Sequence, residues 1–342
     1  MTAARPDLSI VIPIYNRGDI IRYTLESIDR ASRGLNVETI VVDDGSDPPT
    51  STVLASLGWT PSRMVRQANQ GLLYARLAGL EVATGRHLLF LDSDDLVGPD
   101  KLRRQIEAMD RTGVEVSYTD TAGCELAGPY ADLAPVADAP LADTAEGAAF
   151  FITVQPVPHS PIFRTEYLRA VVARAFFPPS PLYNPVAEIW FYHNAAPRPA
   201  RVLRVPGPDA VVGVHPGARL TNHWERLGAA SLAVMEAFAR SVPDTPATAD
   251  ARRRVAARAF GAWRRLPRDF APEFGARLLR VWRRLGSPRR ELGGRNFQMA
   301  ALALGPERAG RWFRWRQAQP YSASRTMSDA SFAALLGALP PP

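Results

Sequence analysis

Acidic residues recur at three places in the first 120 residues, each just past an apolar run. Asp43-Asp44-Gly45-Ser46 follows Val37 to Val42, Asp92-Ser93-Asp94-Asp95 follows His87 to Leu91, and Asp120 follows Val114 to Tyr118. Carboxylates in such clusters suit hard divalent cations such as Mg²⁺ and Mn²⁺, which prefer carboxylate oxygens and accept phosphate and water as remaining ligands. The plainer reading is turn chemistry: Asp-Gly-Ser makes Asx turns, and Asp-Ser-Asp-Asp offers N-caps to a following helix. Placement favours a site, because ligands of open α/β sheets bind in the crevice outside the C-terminal strand ends.

The elements that carry these clusters alternate. Leu8 to Pro13 reads as a buried strand, Asp19 to Ala31 as a helix, and Val37 to Val42 as a second strand. Leu72 to Ala83 is helical and stops at Thr84-Gly85; His87 to Leu91 is a strand, Pro99 to Arg111 a helix, and Val114 to Tyr118 a further strand. This alternation predicts an α/β fold with a mostly parallel, Rossmann-like sheet and flanking helices. From Ala122 to Pro158 the chain reads as loops with a helix near Thr144 to Ile152, and 156–222 is proline-studded with a strand at Ser160 to Phe163. Beyond residue 222 it is all-helical: Trp224 to Arg240, Ala247 to Leu266, Phe270 to Leu285, Arg290 to Leu304 and Ala330 to Leu339.

Four blocks in order carry a resemblance. Ser9-Ile10-Val11-Ile12-Pro13-Ile14-Tyr15-Asn16-Arg17 resembles the opening strand of family 2 glycosyltransferases, which have the GT-A fold, and Val42-Asp43-Asp44-Gly45-Ser46 resembles their second signature. Asn69-Gln70-Gly71, Ala75-Arg76 and Ala83-Thr84-Gly85 are similar to the third, and Phe90-Leu91-Asp92-Ser93-Asp94-Asp95 to the Asp-x-Asp block. The resemblance covers the first 120 residues well, is partial to about 220, and does not reach the C-terminal helices. It implies a GT-A-like domain over 1–222, with a nucleotide-sugar half (1–120) and an acceptor half (121–222); the all-helical pattern, not the resemblance, sets off a basic helical region over 223–342.

The same resemblance implies roles. Asp94 is the candidate metal ligand, with Asp92 on the ribose or the metal and Ser93 beside them; Asp95 fixes the turn or caps the next helix. Asp44 is expected on the nucleotide base while Asp43 serves the turn. Pro13 and Tyr15 would line the base pocket, with Tyr15 stacking on the base, and Arg76 would lie near the donor phosphates, although Leu77 stands where the family often has Asn. His215 matches a late segment near the phosphates, as a third metal ligand or a phosphate contact. In Ala187-Glu188-Ile189-Trp190-Phe191-Tyr192, Glu188 stands where the family's catalytic Asp is found and Ala187 replaces its Glu, which makes Glu188 the candidate general base. The alternative is a helix-N-terminal Glu favoured by the helix dipole. Asp120 and Asp209 are next in line as base, and His159 and Ser160 precede a strand that flanks the family's acceptor side.

The implied reaction is metal-assisted transfer of a sugar, with inversion, from a UDP-, dTDP- or GDP-sugar to an acceptor hydroxyl, with Mn²⁺ or Mg²⁺ as cofactor. The acceptor is a glycan, a lipid-linked molecule or a small molecule. A non-catalytic sugar-nucleotide-binding or scaffold protein is the rival reading, motivated by Ala187-Glu188. A dinucleotide oxidoreductase is disfavoured, since Tyr15 to Asp19 lacks Gly-x-Gly-x-x-Gly.

Composition narrows the setting. The chain has 342 residues and a formal charge of +7, and its cations are arginines apart from Lys101. That bias fits a GC-rich coding sequence as well as any function. One cysteine, Cys124, excludes a disulfide framework or zinc cluster. No apolar run approaches the roughly 20 residues that span a bilayer, and no signal peptide is legible. The expected location is cytoplasmic. Arg252-Arg253-Arg254, Arg264-Arg265, Trp282-Arg283-Arg284 and Arg311 to Arg316 read first as a solvated basic face with its Trp residues packed against the sheet domain; a peripheral contact at the inner face of the membrane is the alternative. Nucleic acid is not an expected partner, because no recognisable module accompanies the charge.

Overall fold

The computed structural model describes residues 4–216, 223–288, 292–317 and 319–340. These divide into two compact units: residues 4–150, 154–175 and 199–216 in the first, and 151–153, 176–198 and 223–340 in the second. The expected boundary at residue 222 lies outside the described residues.

In the first unit β1 (Leu8–Ile14) is buried along its whole length, as a strand covered on both faces must be. Helix α1 (Ile21–Ala31) leads to β2 (Val37–Asp43), α2 (Thr50–Ser56) to β3 (Arg63–Arg66), and α3 (Leu72–Val82) to β4 (His87–Phe90). The short β5 (Leu96–Val97) precedes α4 (Lys101–Thr112), β6 (Val116–Tyr118), β7 (Thr121–Glu125) and β8 (Val136–Ala137). Strand β9 (Ile162–Arg164), helix α5 (Thr165–Ala173), β10 (Val202–Arg204) and β11 (Ala210–Val214) complete it.

The main sheet has seven strands in the order β10-β6-β9-β4-β1-β2-β3. Pairing is parallel except at β9, which runs antiparallel to both β4 and β6. A second sheet, β5-β11-β7-β8, has four strands. The mixed α/β class and flanking helices are as expected from sequence. The helix expected near Thr144 to Ile152 is present at 147–154, as a wide π-helix over Ala149–Val154, and begins three residues late. Residues 144–146 are extended: Thr144 N donates to Tyr118 Oη (3.2 Å), Tyr118 Oη to Ala142 O (2.6 Å) and Leu141 N to Asp120 (2.9 Å). The elements α2, β3, α5 and β10 and the whole second sheet of β5, β7, β8 and β11 have no counterpart among the elements expected from sequence; each is short, and β3 is an edge strand with an exposed face.

A buried carboxylate locks the edge of the sheet opposite the acidic clusters. Glu38 accepts from Ser9 Oγ (2.6 Å), Thr84 N (2.8 Å) and Thr84 Oγ1 (3.0 Å), and Gly85 N donates to Ser9 Oγ (2.8 Å). Burial pushes this carboxyl up, but the hydrogen bonds from Ser9 and Thr84 outweigh it and hold its pKa below the ordinary value. Thr84-Gly85 is therefore a fold-setting turn at the N-terminal strand ends.

The second unit is helical: α6 (Ala187–Ala195), α7 (Trp224–Ser241), α8 (Ala249–Arg265), α9 (Pro272–Arg284), α10 (Arg295–Leu304), α11 (Pro306–Gln317) and α12 (Asp329–Gly337). Its core holds Phe260 against Trp263, Trp282 and Phe297, and Phe270 against Trp224, Phe274, Tyr321 and Phe332. A buried ion pair, Arg277 Nε to Glu236 Oε1 at 2.7 Å, joins α9 to α7. Trp282 is thus core, whereas Trp312 and Trp315 on α11 are exposed. No helix among the described residues is long and apolar enough to cross a membrane.

Candidate functional site

The ends of β1, β2 and β4 lie side by side because both neighbours of β1 run parallel to it: Ile14 pairs with Asp43 and Val11 with Phe90. Backbone bonds carry that register past the strands, Asp44 N to Ile14 O at 2.8 Å and Leu91 N to Val11 O at 3.0 Å. The residues after each strand therefore share one edge of the sheet.

At the β1 end Pro13 is buried while the Tyr15 ring is 50% exposed, open to a partner. Asn16, with φ of 48°, staples this end to the β2 loop: its N donates to Ser46 Oγ (3.0 Å) and its Oδ1 accepts from Asp47 N (2.8 Å). In that loop Asp43 is the turn residue. It accepts from Ser46 N (2.8 Å), Thr50 N (3.1 Å) and Arg66 Nη1 (2.8 Å). Burial raises its pKa, but the Ser46 and Thr50 bonds prevail and hold it below the usual carboxylate range. Gly45 turns the chain at φ +82°, and a Cβ there would stand 2.9 Å from Asn69 N.

Asp44 is buried and organises the loop before α3. Its Oδ1 accepts from Gln67 Nε2 (2.7 Å) and Gln70 N (2.9 Å), and its Oδ2 from Gly71 N (2.8 Å). A carboxylate offers about four acceptor positions, so these three bonds leave about one. The Asn69-Gln70-Gly71 block thereby gains a mechanical meaning: its backbone closes on Asp44.

At the β4 end Asp95 N donates to Asp92 O (3.1 Å), closing a turn through Asp92-Ser93-Asp94-Asp95. Arg76, wholly buried on α3, reaches Asp92 Oδ1 with Nη2 at 2.6 Å. Asp94 Oδ2 receives two cationic or polar partners, Arg17 Nη2 and His215 Nε2, each at 3.0 Å. Asp95 accepts from Gly213 N at 3.0 Å and lies 3.1 Å from His159 Nδ1. Strand β11 is thus clamped onto the turn: a Cβ on Gly213 would lie 2.0 Å from Asp94 O, so only glycine fits. Two residues on, the same face presents His215 to Asp94, as strand alternation requires.

Arg17 and the Asp95–Gly213 contact were not legible from sequence. Arg17 closes the first block, and only the fold shows that it turns onto the fourth. Ser93 is buried in the turn and Ser160 behind it, where its Oγ donates to Thr119 O at 2.6 Å. Of the other candidates, Asp120 is spent on structure: Arg204 grips it bidentately (Nη2 to Oδ2 at 2.7 Å, Nε to Oδ1 at 3.0 Å), and Gly207 N (3.1 Å) and Leu141 N (2.9 Å) fill the rest. Burial raises its pKa, but the Gly207 and Arg204 bonds hold it below the ordinary value, which unsuits it to be a base. Asp209 is shifted upward by burial, with Arg104 opposing at 3.0 Å. Glu188 lies in the second unit, in the first turn of α6.

Asp94 Oδ2 and His215 Nε2, 3.0 Å apart, are the donors that would hold a divalent cation, and Arg17 would have to leave the same oxygen to admit it. No group of three or more His, Cys, Asp and Glu side chains placed to hold a metal occurs among the described residues. The remaining ligands would come from phosphate and water, the usual arrangement for Mg²⁺.

Residues 9–132 match the family model described as Glycosyl transferase family 2. Among curated proteins, the succinoglycan biosynthesis protein ExoO of Rhizobium meliloti is 40% identical over 113 residues, covering 33% of this chain and 32% of ExoO. The putative glycosyltransferase EpsH of Bacillus subtilis is 33% identical over 141 residues, covering 41% of this chain and 39% of EpsH. The chain thus spans between about a third and two fifths of the length of these relatives. Among solved structures, S. aureus TarS 1–349 in complex with UDP-GlcNAc superposes with a TM-score of 0.63 at 17% identity, covering 92% of this chain and 93% of that one. A mannosyltransferase from Pyrobaculum calidifontis, in complex with GDP-Man and Mn²⁺, gives 0.54 at 16% identity, covering 98% and 87%. At these identities the likeness is one of fold.

Proposed function

Because residues 9–132 belong to glycosyl transferase family 2, we propose that the protein transfers a sugar from a nucleotide-diphospho-sugar to an acceptor hydroxyl with inversion at the anomeric carbon. The observation that carries this reading is the junction of Asp94, His215 and Arg17 at the C-terminal strand edge, with Asp92 held beside it by buried Arg76.

Asp94 and His215 would hold a Mn²⁺ or Mg²⁺ ion, whose chemistry is to neutralise the charge on the departing diphosphate. Every other step falls to the chain itself. The exposed ring of Tyr15 stacks on the nucleotide base, with buried Pro13 behind it. Asp44 uses its remaining acceptor position on the base and, through Gln70 and Gly71, sets the height of the loop that borders it. Asp92, held through Oδ1 by Arg76, receives the ribose. Arg17 is partly exposed and meets the diphosphate as a cation. Glu188 accepts the proton of the attacking hydroxyl, on the strength of the family resemblance of its segment. Arg311, Trp312, Arg314, Trp315 and Arg316 support a peripheral contact with an anionic membrane at the cytoplasmic face, with the exposed rings entering the interface.

The test is a turnover screen of the full chain with UDP-, dTDP- and GDP-sugars, with Mn²⁺, Mg²⁺ or a chelator. The expected result is cation-dependent release of one nucleoside diphosphate and a product of opposite anomeric configuration by NMR. Tight binding without turnover would instead support the non-catalytic reading that the Ala187-Glu188 departure invites. Retained configuration would overturn inversion.

A further inference from the structure

The second unit contains a cavity of about 450 Å³ lined by Arg254, Arg258, Arg264 and Arg265, with no acidic residue on its wall. All four belong to α8, where positions 254, 257, 258, 261, 264 and 265 fall on one face at helical spacing. Ala257 and Gly261 leave the middle of that face bare, so the arginines surround a recess rather than a ridge.

Three of the four guanidinium groups are held, and Arg265 is exposed at the rim. Arg254 donates to Thr153 Oγ1 (3.1 Å), Arg258 to Ile152 O (3.0 Å) and Arg264 to Leu292 O (2.7 Å). The aromatic ring of Phe297 lies 3.7 Å from the Arg264 guanidinium carbon and fixes its plane. Charge balance is missing. Arg254 has Asp250 at 2.8 Å, but no carboxylate among the described residues pairs with Arg258, Arg264 or Arg265. Burial, and then the charge of Arg265, push Arg258 down to about 10 and lower Arg264 as well. Gathering unpaired like charges in a recess destabilises a fold that gains nothing else from it. Their hydrogen bonds to backbone oxygens leave other N–H groups of each fork to spare.

We propose that this cavity binds the phosphate group of an anionic ligand, whether that phosphate is carried by a soluble molecule or by a lipid headgroup. Guanidinium forks match phosphate oxygens in pairs, and several fixed forks around one anion specify it further. The volume exceeds what one phosphate fills and lies within the range of small-molecule sites, which leaves room for part of the carrier. This proposal concerns the second unit alone and stands apart from the donor site.

The experiment titrates the full chain with inorganic phosphate by calorimetry at constant ionic strength, and measures sedimentation with phosphatidylglycerol against phosphatidylcholine vesicles. Three variants accompany the wild type. Arg265→Gln removes an exposed charge. Gly261→Leu puts an apolar side chain into the recess without changing charge; a Cβ at this position would meet Arg265 Nη1 at 3.5 Å, an ordinary contact. Asp94→Ala alters only the first unit. Saturable phosphate binding that weakens at least tenfold in both α8 variants, and is kept in Asp94→Ala, supports the cavity. Vesicle sedimentation lost in Gly261→Leu then assigns a lipid headgroup, and sedimentation unchanged assigns a soluble carrier. No phosphate binding in wild type, or binding kept in Gly261→Leu, overturns the proposal.

Discussion

Lys101 is the chain's one lysine, and its side chain is wholly buried. Its Nζ donates to Gln105 Oε1 (2.6 Å) and Ser160 O (3.2 Å), with no carboxylate in direct contact. Burial therefore dominates, opposed by the more distant charge of Asp209, and takes the pKa from 10.5 down to about 7. Below pH 7 the ammonium is present in both folded and unfolded chains, and the folded state bears the whole cost of burying it. Between pH 7 and 10.5 the unfolded chain binds a proton that the folded chain does not, so stability rises with pH at about 1.4 kcal/mol per unit. Summed over that window, the effect is at most about 5 kcal/mol. Lys101→Met keeps the aliphatic stem and removes the amine. Denaturant unfolding at pH 7.5 and 9.5 should show the wild type gaining about 2–3 kcal/mol relative to this variant as pH rises. Because there is one lysine, ¹³Cε labelling yields a single NMR signal whose midpoint reads the pKa directly. A midpoint near 10.5, together with parallel stability profiles for the two proteins, would refute the reasoning.

Three further outcomes follow from the site. Gly213→Ala places a methyl 2.0 Å from Asp94 O, so β11 must separate from the turn; a loss of about 1–3 kcal/mol of stability should accompany loss of Mn²⁺-dependent nucleotide binding, and unchanged binding would mean that the clamp is not needed. Asp44→Asn keeps the shape but puts an amide group where either Gly71 N or the Gln67 and Gln70 donors now bind, so nucleoside-diphosphate affinity should fall by about 0.5–3 kcal/mol, and calorimetry showing no change would confine Asp44 to the turn. Glu188→Gln should lower turnover by about a hundred- to ten-thousandfold with donor affinity nearly intact; full turnover in that variant would move the base elsewhere, with Asp209 ahead of Asp120 because Arg204, Gly207 N and Leu141 N already consume Asp120.

What was legible in the sequence depended on the range of the interaction. β1, β2, α3, β4 and α4 are long or strongly apolar runs whose periodicity is local, and they lie close to where the spacing places them. β9 was expected as a strand, but its reversed direction between β4 and β6 is a property of pairing, not of Ile162-Phe163-Arg164 alone. The same holds for the site. Asp44, Asp92 and Asp94 are marked by position after apolar strands. The partners that decide their chemistry come from residues distant in sequence: Arg17 and His215 for Asp94, Arg76 for Asp92, and Gln67 with the Gln70 and Gly71 amides for Asp44. Arg17 looked like the end of a motif, and no periodicity marks it as a partner of Asp94. The cationic face of α8 was visible as Arg252-Arg253-Arg254 and Arg264-Arg265, yet its recess depends on Ala257 and Gly261, which carry no signal of their own.

In the proposed reaction Asp94 serves a divalent cation that receives a nucleoside diphosphate. Calorimetric titration of UDP and GDP into the full chain, with Mn²⁺ or with chelator, measures this without requiring the acceptor. With Mn²⁺ at least one of the two nucleotides should bind ten times more tightly or better, a difference of about 1.4 kcal/mol, and Asp94→Ala should bind both as the wild type does in chelator. Equal affinity with and without Mn²⁺, or a Mn²⁺ enhancement that survives Asp94→Ala, would contradict it.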